Sequence, residues 1–113
     1  MQTLHSLHPI DTEVGQLGVT VRLGSKWADL VTHADQLELC VCTEDGMHIV
    51  VGHGTVEEVW CSPFYQIPAR VIELEHEESS RVYSGLIHSM SRAYGSKFDE
   101  ESTVTVLTYL RND

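Results

Sequence analysis

Residues 19–27, VTVRLGSKW, bring a threonine, an arginine and a lysine into one short stretch. A threonine hydroxyl becomes a nucleophile when a neighbouring base takes its proton, and amide hydrolysis also needs a donor aimed at the developing oxyanion. Thr20, Glu78 and Lys26 supply those types if the loop after Gly24 folds Lys26 back. Binding asks less of the same region: Arg22 and Lys26 meet a phosphate or a base edge, and Trp27 or Tyr65 stacks on a base. Thr20 and Arg22 lie two apart in an alternating stretch, so they leave one strand face. The plainer alternatives are a strand filler for Thr20, a surface ion pair for Arg22, a solvated Lys26 and a Trp27 that caps the core.

Three further groups carry chemistry. Arg81, His88 and Arg92 follow one another at spacings of seven and four, which traces a helical stripe. That stripe is either the second wall of a positive cleft or a solvated face balanced by Glu77 and Glu78. Cys40 and Cys42 leave the same face of a strand. A metal reading joins them to His53 or Cys61, and the plainer one leaves small, partly buried thiols; no metal site and no cofactor are expected. His76 lies among Glu73, Glu75, Glu77 and Glu78, and neighbouring carboxylates are expected to raise its pKa.

These residues belong to a chain of 113 residues with a formal net charge of -10 and seven Lys plus Arg. The length suits a single domain over residues 1–113. The acidic balance argues against strong non-specific binding to duplex nucleic acid, yet it leaves room for a small cationic pocket. The expected partners are RNA, a short single strand or a modified nucleoside. An acidic surface that mimics nucleic acid, or docks on a basic protein, is the competing reading. No apolar run approaches the roughly 20 residues of a membrane span, so no membrane partner and a cytoplasmic location are expected.

The elements that position the candidates are read from periodicity. Residues 1–14 form an irregular arm, or one with a short strand, with Pro9 against a helix. LGVTVRL is a strand, and SKWADLV is about one helical turn capped by Ser25. QLELCVC is a strand with Leu37, Leu39 and Val41 on one face, and Asp45-Gly46 marks the hairpin into the next strand. Gly52 and Gly54 in that strand imply a bulge or a close approach. SPFYQIP is a loop, and ARVIELEHEESS is a strand and turn or a short helix. SSRVYSGLIHSMSRAYG is a helix whose stripe is Val82, Tyr83, Leu86, Ile87, Met90 and Tyr94, closed by Gly95. STVTVLTYL is a strand covered on both sides. The expected fold is mixed α+β, a small curled barrel of five to six strands with flanking helices.

VTVRLGSKWADLVTHADQLEL, VVGHGTVEEVWCSPFYQIP and LIHSMSRAYGSKFDEESTVTVLTYL, taken in order, resemble the ASCH domains of the PUA-like superfamily. The resemblance covers roughly residues 17–110. It implies a closed or nearly closed β-barrel with a cleft that recognises RNA, a nucleotide or a modified nucleoside. A subgroup of the family are amidohydrolases that deacylate N4-acetylcytidine with a Lys, a Thr and a Glu. In the register that keeps the strand periodic, the family's Thr-Ile-Arg falls on Thr20-Val21-Arg22. Its lysine position then falls on Leu17, and its glutamate near Glu77 or Glu78. A second register aligns Gly-x-Lys with Gly24-Ser25-Lys26, but puts Asp29 at the threonine.

Overall fold

β-Branched and apolar residues at alternate positions build five strands, and a computed structural model describes their arrangement over residues 1–113. They are β1 (Gln2–Ser6), β2 (Leu17–Leu23), β3 (Gln36–Cys42), β4 (His48–Pro63) and β5 (Thr103–Arg111). One sheet takes them in the order β1-β3-β4-β5-β2, with β1 parallel to β3 and the other pairs antiparallel. Of the two readings of the N-terminal arm, the one with a short strand holds: residues 2–6 supply an edge strand.

The mixed α+β class holds, but the ladder does not close into the expected barrel: β1 and β2 remain its two edges. Only a side chain crosses between them, where Arg22 Nη1 donates to the His5 carbonyl at 2.7 Å. The edge of β2 is covered locally. Val19 N donates to Leu74 O and His76 N to Val19 O, so the segment around Glu75 docks beside β2 as a short parallel bridge.

The Asp45-Gly46 turn joins β3 to β4 as expected, with Gly46 in the left-handed region at φ 85°. β4 is long and bends at two irregularities, one between the pairs Leu39–Gly52 and Cys40–Val50, the other between Val56 and Glu58. Gly54 also meets the expected close approach, since a Cβ there would stand 2.8 Å from the Tyr109 ring.

Two apolar clusters hold the sheet. β5 serves both, because alternate residues face opposite ways. Val104 and Val106 join Val19, Val21, Phe64, Ile72, Leu86 and Met90 in one cluster, beneath α2 (Ala69–Ile72) and α3 (Tyr83–Tyr94). Leu107 and Tyr109 join Leu4, Leu37, Leu39 and Val56 in the other, with Trp27 and Val31 against them. α1 (Lys26–Leu30) is the single helical turn expected, though the Ser25 side chain makes no capping bond. On α3, Leu86 and Met90 are buried while Val82 is exposed, since the helix begins only after it. Gly95 ends the helix at φ 60°. No helix is long and apolar enough to cross a membrane.

Candidate functional site

Strand alternation turns Val19 and Val21 into the helix-covered core and leaves Thr20 and Arg22 on the opposite face. There they line a cleft of about 370 Å³, bounded by the ends of β1 and β3, the segment Glu75–Ser80 and one side of α3. That volume lies in the lower range of small-molecule sites. Arg22 Nε donates to Thr20 Oγ1 at 3.0 Å, and Nη1 is held by the His5 carbonyl. No protein acceptor takes Nη2.

Glu75 and His76 reach the cleft because the bridge to Val19 draws their backbone onto β2. Arg81 Nε fixes the same turn by donating to the Glu75 carbonyl at 2.8 Å. Burial pushes the Glu75 carboxyl up to about 8, against the opposing pull of the Arg22 charge. The two groups nevertheless form no ion pair, the three ion pairs of the chain being histidine pairs. Glu75 Oε1 faces the Glu77 amide at 3.4 Å and His76 Nε2 at 3.5 Å, whereas Oε2 accepts nothing from the protein. Every fully buried side-chain polar atom has a partner, so this oxygen opens on the cleft.

His76 reverses the expectation drawn from its acidic neighbours. Burial, followed by the charges of Arg22 and Arg81, pushes its pKa down to about 3 rather than up. The ring is therefore neutral. Its Nδ1 lies 3.0 Å from the Tyr109 hydroxyl, whose own pKa burial raises to about 12. When Tyr109 donates to Nδ1, Nε2 carries the proton and faces Glu75.

Compared with family models, curated proteins and solved structures, the chain matches none.

The cleft brings together Thr20, Arg22 and Arg92 of the residues singled out by sequence, with Arg92 exposed at its rim. Lys26, Trp27, Tyr65, Glu78 and Arg81 do not line it. Gly24, at φ 83°, turns the chain after β2 and sends α1 against β4 and β5, which leaves Lys26 exposed and packs Trp27 against the core. Tyr65 is exposed in a turn after β4. Glu78 is exposed and its amide is bound by Asp11, while Glu77, the other position that the resemblance implied, lines the cleft. His88 is exposed outside it.

Glu75, His5 and Tyr94 were not singled out for the cleft, which all three line. The one sequence signal for Glu75 was the ELEHEE run. Which of its carboxylates turns inward depends on a bridge to a strand more than fifty residues earlier.

The cysteines have partners other than those expected. His53 pairs with the Asp113 carboxylate at 3.0 Å, and Cys61 Sγ lies 3.7 Å from Thr105 Oγ1. Cys42 Sγ instead approaches His5 Nδ1 and His48 Nδ1. Burial, with Cys42 beside it, pushes the Cys40 thiol up.

Proposed function

We propose that this chain is a nucleoside-binding domain of the ASCH type, whose cleft takes one nucleotide or modified nucleoside, free or presented by RNA. One observation carries the reading: Glu75 Oε2 and Arg22 Nη2 both lack a protein partner, on residues lining one cleft. Below pH 8 the Glu75 carboxyl is largely protonated, and with Oε1 facing Glu77 N and His76 Nε2, Oε2 is the oxygen left to carry the proton and donate it to a ligand. That donor suits an acceptor such as a pyrimidine ring nitrogen or carbonyl, and Arg22 adds a charged donor for a second one. With Glu75 neutral, Arg22 and Arg92 stand against Glu44 and Glu77 around the cleft, so what the arginines contribute is directed charged donors rather than a net positive field. Tyr94, half-buried at the cleft wall, supplies a face for stacking.

Hydrolysis of N4-acetylcytidine is the second reading, favoured by a carboxyl with a pKa of about 8 in the cleft that Thr20 also lines. No lysine lines the cleft, and Leu17, at the family's lysine position, is exposed at the start of β2.

The test is calorimetric titration with cytidine, uridine, N4-acetylcytidine and their monophosphates, with acetate release followed in parallel. Saturable binding weakened at least tenfold by Arg22→Ala supports the nucleoside reading; a charged hydrogen bond contributes about 1.5–3 kcal/mol. Acetate release abolished by Thr20→Ala and by Glu75→Gln supports the hydrolase. Absence of binding and turnover at low salt removes both, and co-purification of a basic protein then favours the acidic docking surface.

A further inference from the structure

We propose that His5, Cys40, Cys42 and His48 form a four-coordinate site for zinc or a similar divalent cation at the β1–β3 end of the cleft. Two cross-strand pairs create it. The parallel register of β1 and β3 sets His5 opposite Cys40, and the antiparallel register of β3 and β4 sets Cys42 opposite His48. One ligand atom from each residue falls within 4.8 Å of every other.

The distances suit a metal. Zn–S bonds near 2.3 Å and Zn–N bonds near 2.0–2.1 Å in a tetrahedron separate S from N by about 3.6 Å. Cys42 Sγ stands 3.5 Å from His5 Nδ1 and 3.6 Å from His48 Nδ1. The two imidazoles meet at 89° with centroids 5.2 Å apart, so they do not stack and both Nδ1 atoms stay directed at the sulfur. Thiol–imidazole hydrogen bonds account for two of these contacts, but not for the convergence of all four atoms.

The donor set selects the ion. Two thiolates and two imidazoles favour zinc over hard cations such as magnesium or calcium, and the thiolates balance its charge. Cys40 is buried and anchors the site, whereas His5 and His48 are exposed and leave a path from solvent. Four protein ligands leave no open position, so the ion is structural: it ties edge strand β1 to β3 and β4. Arg22 Nη1 bonds the carbonyl of His5, so ordering His5 also orders the guanidinium in the cleft. Only this last consequence rests on the nucleoside reading.

The experiment is titration of the reduced full chain with Co²⁺, followed by Zn²⁺. One equivalent of cobalt is expected to give the intense visible bands of a tetrahedral ion and a near-ultraviolet thiolate charge-transfer band, both bleached by zinc. Cys42→Ser and His48→Ala, each checked for folding by circular dichroism, weaken binding by more than about 100-fold, beyond the 10–100-fold typical of outer-shell changes. His53→Ala leaves binding intact. A weak octahedral cobalt spectrum in the unaltered chain overturns the proposal. Tetrahedral binding that survives Cys42→Ser and His48→Ala overturns it equally.

Discussion

Glu75 is the residue on which the cleft's chemistry turns, because its charge state is set by burial rather than by a partner. Burial pushes its pKa up, the Glu77 charge adds to it, and together they outweigh the downward pull of Arg22, holding it at about 8. A ligand that needs the protonated carboxyl binds below that value and is released above it. Nucleoside affinity, measured by titration calorimetry, is therefore expected to fall as pH rises through about 8. Glu75→Gln keeps a donor and an acceptor at all pH values and should flatten the profile. Thr20 and Arg22 were legible in sequence because two residues on one strand share a face whatever the strand packs against. Lys26 was not legible, since its direction depends on the positive φ of Gly24 and on where α1 finds apolar contact. Burial likewise inverted the sign at His76: the carboxylates beside it in sequence matter less than the desolvation around it in space.

At the scale of elements, α3 and the turn before it form one wall of the cleft, and their junction is tight. A Cβ on Gly85 would run into the carbonyl oxygen of Ser79, and Ser80 Oγ meets Ser89 Oγ at 2.7 Å across the same junction. Gly85→Ala adds helix propensity of about 1 kcal/mol, whereas overpacking of this kind costs about 1–3 kcal/mol. The substitution is expected to lower the urea midpoint and to weaken nucleoside binding together, since the turn that moves also carries Glu75. The strands, the β3–β4 turn and α3 were legible, because each rests on local periodicity or a turn residue. The bridge between Val19 and Glu75 rests on neither. It is made by two backbone hydrogen bonds between distant segments, and no side-chain pattern records them. Failure of the sheet to close is equally a matter of strand edges, which apolar alternation does not report.

For the whole molecule, the two perturbed groups in the cleft give pH dependences of opposite sign. Glu75 has a folded pKa above its ordinary 4.5, so its stabilisation is full below 4.5 and lost as pH rises towards about 8. His76 has a folded pKa below its ordinary 6.5, so its stabilisation is full above 6.5 and lost as pH falls towards about 3. Between 4.5 and 6.5 the two slopes cancel, which predicts a plateau of stability with a decline on each side. Urea midpoints recorded across this range test it: Glu75→Gln should remove the alkaline decline and also the cancelling slope, so that the midpoint rises with pH up to about 6.5 and then levels. The strand order β1-β3-β4-β5-β2 has a different consequence, in the time taken to reach this state. Only β3 and β4 meet through a tight turn, whereas β2 must find β5, pairing Leu17 with Leu110. Pairings of such separation fold slowly, because chain entropy is lost before contacts form. Arg22 lies on the strand that waits for β5, and Glu75 waits on that strand in turn. Competence to bind should thus arrive in the last refolding phase, and a nascent chain holds no cleft until β5 has been made.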